Sequence, residues 1–315
     1  MEGAFVEFRH VRAVYPGQAG IGALLGKTKP PVIALQDISF SLKKGEHVTI
    51  FGRGGSGKTT LLTLLSGMIL PESGMILVDG SAPQSIPTST HGYVSLDHDE
   101  TKGSTVYEML HTFGTTHKIP SLPSRIGEIA ELLSITPLLH RNAFRLSLAE
   151  RLRIKIARAA LSKAPVVLLD DVADVLGASE MNGILTQLFA GRTVCMTTRS
   201  VHIAEALGVP ILLLHKASLA HMGNTGEIAH EAGVERVVHA WVEGMRYDML
   251  RKLRSHPGVL EVRLVPTDRF EGTCVRITLR NSRYLPALYD ALSAAPLISI
   301  EELPVGLSEI LDSLP

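Results

Sequence analysis

The nonapeptide GRGGSGKTT, Gly52 to Thr60, constrains this chain more than any other stretch. It has the form G-x-x-x-x-G-K-[ST], with the apolar run VTIF before it and LLTLL after it, so it reads as the loop between a buried strand and a helix. Glycines at 52, 54, 55 and 57 let successive backbone N–H groups converge, and the helix N-terminus behind them favours negative charge. Such a loop cradles phosphates. Lys58 then reaches toward the β and γ phosphates, Thr59 offers a hydroxyl to Mg²⁺, and Ser56 and Thr60 complete the candidate phosphate-binding set.

Downstream, VVLLDD ends an apolar strand in Asp170 and Asp171. A carboxylate placed there, beside the phosphate loop, can help hold Mg²⁺, and Asp170 with Thr59 is the candidate metal pair. The elements around these motifs alternate. VIALQDISFSLKKGEHVTIFG reads as strand, KTTLLTLLSGM as helix, GMILVDG as a strand pair, HGYVSL as a short strand, and RTVCMTTR and PILLLH as later strands separated by helices. This order predicts an α/β, doubly wound, largely parallel sheet of the P-loop NTPase kind, with a helical lobe inserted at about 97–164. After about Gly233 the pattern becomes strand, helix, strand, strand, helix, strand, which predicts an α+β ferredoxin-like domain over 236–315 behind the P-loop domain over 1–233.

Composition narrows the function classes. Lys plus Arg and Asp plus Glu number 31 each, so the basic excess expected of a nucleic-acid binder is missing. The two cysteines, Cys195 and Cys274, lie far apart outside any metal-ligand spacing and read as packing residues. No apolar run approaches the ~20 residues of a membrane-spanning helix, so work at a membrane would need another chain to supply the spans.

The order of parts resembles the nucleotide-binding domain of an ABC transporter over about residues 4–230: an aromatic before a long excursion, a P-loop, a helical lobe closing in a short Ser motif, then a strand ending in acids. In that family two such domains close head to tail over two ATP molecules, each site taking the Ser motif from the opposite chain. The resemblance implies that Tyr15 stacks on adenine, that Lys58, Thr59 and Asp170 bind MgATP, that Asp171 is the base, and that Ser147 of LSLAE addresses the γ-phosphate of a partner's ATP.

Several positions depart from the family pattern. Leu96 stands where a Mg²⁺-contacting glutamine is usual, with Asp97 beside it, and Gly177 stands where a loop acid is usual. Asp171 replaces a glutamate and sets the carboxylate back by about 1.5 Å. A misplacement of ~1 Å can cost roughly 100-fold in rate, so Asp171 is a poor base for water. Arg199 replaces the switch histidine; as a catalytic candidate it can still present charge to a γ-phosphate but cannot relay a proton near neutral pH, while His202, one turn on, reads as a surface residue. Leu148 and Ala149 replace the glycines of the Ser motif, and Ser147 with Glu150 also spells a capping box. Groups that hold a nucleotide remain, whereas groups that position water are weakened.

The resemblance implies an ABC-type ATPase subunit at the cytoplasmic face of a membrane, using ATP and Mg²⁺ and working with a transmembrane permease subunit. A second ABC ATPase subunit is expected, with a hetero-pair favoured and a homodimer as the alternative. The C-terminal block resembles the extension of ABC-2-type exporter ATPases, and the excursion after Tyr15 resembles that of polysaccharide-exporting ones, so export is the expected direction. The alternative is a regulatory subunit that binds nucleotide and relies on a competent partner for hydrolysis.

Overall fold

The computed structural model describes residues 3–16, 30–85, 92–96, 103–162, 164–245, 247–266, 272–292 and 296–314. They divide into two compact units, Met1–Ala220 and His221–Pro315.

The first unit opens with β1 (Ala4–Tyr15) and β2 (Val32–Lys43), an antiparallel pair. Buried Val6, Phe8 and Val11 face Leu35, Ile38 and Leu42, and the Phe8 and Phe40 rings stack at 4.6 Å. The run from Val32 to Phe51, expected as one strand, is broken in two. A turn at Gly45 (φ 81°), in which the Glu46 N–H bonds the Lys43 carbonyl at 3.2 Å, starts β3 (His47–Phe51) in a different sheet. After the phosphate loop come α1 (Lys58–Leu65) and β4 (Ser73–Val78). In place of the expected strand pair in GMILVDG there is the one strand β4, which adds to β1 and completes the three-stranded sheet β2-β1-β4.

The strand expected in HGYVSL is β5 (Gly92–Val94), followed by α2 (Val106–Thr116), α3 (Leu122–Leu132) and α4 (Leu148–Leu161). These three helices pack a continuous apolar cluster that includes Leu110, Ile126, Ile129, Leu152 and Ile156. The chain then alternates through β6 (Val166–Leu169), α5 (Ala173–Leu176), α6 (Ala178–Leu188), β7 (Thr193–Thr198), α7 (Val201–Ala206), β8 (Ile211–His215) and β9 (Ser218–Gly223). Sheet order is β5-β6-β7-β3-β8-β9, and the pairs β5·β6, β6·β7, β7·β3 and β3·β8 are parallel. Strands β6 and β7 are buried at every residue, as a parallel sheet covered on both faces requires. The loop after β3 and the acids after β6 thus meet at the same, C-terminal edge of the sheet.

In the second unit α8 (Thr225–Glu231) precedes β10 (Arg236–Val242), α9 (Tyr247–Ser255), β11 (Val259–Val265), β12 (Thr273–Leu279), α10 (Leu285–Leu292), β13 (Leu297–Leu303) and α11 (Leu307–Ser313). Its antiparallel sheet has the order β11-β12-β10-β13, the split βαβ arrangement of a ferredoxin-like fold. Val238, Ala240 and Val242 alternate onto the face covered by Met249, Leu253, Leu288 and Leu292. Both cysteines are free and buried, and burial pushes the Cys195 thiol up to about 12. Among the described residues no helix is long and apolar enough to cross a membrane.

Candidate nucleotide-binding site

The loop from β3 to α1 keeps its glycines for two separate reasons. A Cβ on Gly52 would run into the Leu214 carbonyl oxygen, and one on Gly57 into that of Ala34, so close backbone approach fixes both. Gly55 and Gly57 also have φ of 77° and 101°, the left-handed region where a side chain is strained. By contrast a Cβ on Gly54 would meet no heavy atom within 4 Å, which leaves that face of the loop open. Helix α1 starts at Gly57 with no side-chain cap, so its first N–H groups have no capping acceptor from the N-cap residue. Ser56 and Thr60 are buried beneath it.

Lys58 is also buried, and its ammonium donates to the carbonyls of Gly52 at 2.7 Å and Arg53 at 3.1 Å. Burial lowers its pKa from the ordinary lysine value, while the nearby Asp171 carboxylate opposes the shift. The Tyr15 hydroxyl lies 3.3 Å from Thr60 Oγ1, bringing the half-exposed aromatic ring to the same loop.

Across the loop stands Asp170, buried at the end of β6. Thr59 donates its hydroxyl to Asp170 Oδ1 at 3.3 Å, joining two positions 111 residues apart in sequence. Oδ1 also receives the Thr197 hydroxyl at 2.7 Å, and Oδ2 the Tyr93 hydroxyl at 3.2 Å. This oxygen-only donor pair, Thr59 and Asp170, fits Mg²⁺, which is commonly held by one or two protein oxygens plus phosphate.

Asp171 has a left-handed backbone (φ 54°), a conformation that Asp tolerates better than most residues. Its Oδ2 accepts from Arg199 Nη2 at 2.7 Å and Nε at 3.1 Å. The Arg199 side chain is largely exposed, and its pKa is raised by that hydrogen bond. The two groups expected to act separately on water and on phosphate are therefore bonded to each other. Asp174, in the first turn of α5, accepts from the Thr198 hydroxyl and from the Arg199 N–H at 3.3 Å, tying the segment after β7 to the helix after the acids.

Sequence reasoning missed Tyr93, Thr197, Thr198 and Asp174. A signal existed for the threonines, because two adjacent hydroxyls at the end of an otherwise apolar buried strand need partners. Nothing local marked Tyr93 or Asp174.

Ser147 is placed differently. It is the N-cap of α4, its hydroxyl donates to Glu150 Oε2 at 2.7 Å, and its N–H donates to the same oxygen at 2.8 Å. The capping reading of LSLAE is thus the local structure, and Leu148 lies exposed beside it. Leu96 packs partly buried against the apolar cluster of the helical lobe, a contact that an amide would make less well. His202 is exposed, and Gly177 (φ 85°) starts α6. Asp97 and nearly all of the excursion after Tyr15 lie outside the described residues.

A phosphate loop, a strand-end acid bonded to it and an inserted helical lobe define a P-loop nucleotide-binding protein. Residues 35–174 match the family profile described as ABC transporter. The ABC transporter ATP-binding protein YxdL of Bacillus subtilis is 31% identical over 193 residues, covering 58% of this chain and 71% of that one. The molybdate/tungstate import ATP-binding protein WtpC of Thermococcus kodakarensis is 28% identical over 253 residues, 75% of each chain. The spermidine/putrescine import ATP-binding protein PotA of Protochlamydia amoebophila is 30% identical over 211 residues, 62% of this chain and 55% of that one. Among solved structures, the dimeric ATP-binding cassette MJ0796 bound to ADP and Pi superimposes with a TM-score of 0.59 at 20% identity, over 70% of this chain and 98% of that one. The chain belongs to the ABC transporter family, as one of its ATPases. Two of these relatives are named for import, so the expectation of an exporter finds no support among them.

Proposed function

We propose that this chain is the ATP-binding subunit of a transporter, taking MgATP at residues Gly52–Thr60 with Tyr15 against the base. The observation that carries this is the Thr59–Asp170 hydrogen bond, which sets a metal-binding oxygen pair beside the phosphate loop. Thr59 and Asp170 would hold Mg²⁺, which neutralises charge on the β and γ phosphate oxygens. Lys58, now folded onto the loop carbonyls, would exchange those bonds for phosphate oxygens. The names of the relatives favour import over the export read from the chain's ending. The remaining partners follow from the family resemblance: a second ATPase subunit that closes on the nucleotide through its own Ser motif, and a membrane-spanning permease at the cytoplasmic face.

Within this role we infer weak or partner-dependent hydrolysis. The Asp171 carboxylate is bonded to Arg199 and short of a glutamate's reach, so it is poorly placed to take a proton from water. The test is to purify the chain and measure MgATP binding and turnover separately, with Asp171→Asn alongside. The expected result is binding with little turnover, changed less than about threefold by the substitution. Robust turnover that Asp171→Asn abolishes would sink the weak-hydrolysis reading and establish Asp171 as the base.

A further inference from the structure

We propose that Thr197, together with Tyr93, is a positioning residue that orients the Asp170 carboxylate for the metal. The inference rests on the MgATP-binding reading and deepens it.

Thr197 lies in β7, buried on both faces of the sheet and level with the strand end that carries the acids. It is fully buried, and a hydroxyl costs free energy there unless both its donor and its acceptor capacity are used. Here they are. The hydroxyl donates to Asp170 Oδ1, its nearest acceptor, over an O···O distance of 2.7 Å, and its oxygen accepts the Asp171 N–H at 2.8 Å. The same hydroxyl is 3.1 Å from Asp171 Oδ1, so one side chain touches the carboxylate of the first acid and both backbone and carboxylate of the second.

Sheet order makes this a clamp. Strand β6, which delivers Asp170, runs between β5 and β7. Tyr93 from β5 holds Oδ2 at 3.2 Å while Thr197 from β7 holds Oδ1. With a hydroxyl from each flanking strand on a different oxygen, rotation of the carboxylate about its Cβ–Cγ bond breaks a bond on either side. Thr59 then meets Oδ1 on the face turned toward the phosphate loop. A valine would fill the same volume in β7 and leave Oδ1 and the Asp171 N–H without this partner.

Groups that orient a metal ligand typically change metal affinity by about 10–100-fold when removed. The experiment is ATP binding to the full chain in MgCl₂ and in EDTA, for wild type, Thr197→Val, Thr197→Ser and Tyr93→Phe. In Thr197→Val the gain in ATP affinity from Mg²⁺ should fall about tenfold or more, with affinity in EDTA unchanged within about twofold. Thr197→Ser, which keeps the hydroxyl, should restore the gain. Tyr93→Phe should lose less, about threefold, and carries the test alone if the valine variant does not fold. A full Mg²⁺ gain in Thr197→Val, or in Tyr93→Phe where that variant stands alone, overturns the proposal. Equal losses with and without Mg²⁺ overturn it too, since they mark general loosening of the sheet. A wild-type chain that binds no ATP in either condition instead overturns the nucleotide-binding reading beneath it, a distinct pattern.

Discussion

Helices α1 and α4 both start at a position where the family places a phosphate contact, and their first turns are satisfied in opposite ways. At α1 the N-cap is Gly57, in left-handed conformation with no side-chain cap, and the neighbouring cation is Lys58. At α4 the N-cap is Ser147, and Glu150 closes a reciprocal capping box on it. Hydrogen bonding to Ser147 holds the Glu150 carboxyl below the usual carboxylate range, so the box is anionic at neutral pH. One helix start presents amides and a positive charge; the other has used its serine donor and carries a negative charge. For Ser147 to donate to a phosphate on a partner chain, its hydroxyl must first give up its bond to Glu150. The difference between the two helix starts, read in the sequence as Leu148 and Ala149 in place of glycines, thus has a second physical source in the acid three residues after Ser147.

The comparison breaks most visibly at Lys58. Lys58→Ala removes the cation from the open helix start and should weaken ATP binding about 100-fold, given about 1.5–3 kcal/mol for each hydrogen bond to a charged group. Fluorescence anisotropy with a labelled ATP measures it, and a change below about threefold would mean that phosphates do not bind at this loop. Gly57→Ala attacks the backbone of the same turn. A left-handed non-glycine residue costs about 1–2 kcal/mol and overpacking against Ala34 about 1–3 more, so urea unfolding should show a loss on the order of 2–5 kcal/mol. An unchanged midpoint would mean that the turn relaxes freely. The smallest effect should come from the capped helix. Glu150→Gln keeps the capping-box geometry and removes the charge, so ATP-dependent dimerisation should strengthen by about twofold to fivefold in light scattering. Weaker dimerisation in that variant would show that the carboxylate assists the contact with a partner.

Much of this was legible in the sequence because it depends on local chemistry. Gly52, Gly57, Lys58 and Thr59 announce a phosphate loop through spacing alone, VVLL announces a buried parallel strand through its unbroken apolar run, and Ser147 with Glu150 announces a cap. The split of Val32–Phe51 into two strands was not legible, since the turn at Gly45 hands the chain from one sheet to another without interrupting the alternation. Nor was the clamp on Asp170, because Tyr93 and Thr197 reach it from strands that become neighbours only when the sheet assembles.

The sequence by itself determined which groups are available: a glycine-lined helix start, a lysine at its first position, two acids at a strand end, an arginine where a histidine is usual. Tertiary structure decided what those groups are bonded to. Hydrogen bonds form over about 3 Å, and the register of parallel strands decides which side chains come that close. Strand register put Thr197 level with both acids, and it brought Arg199 onto Asp171.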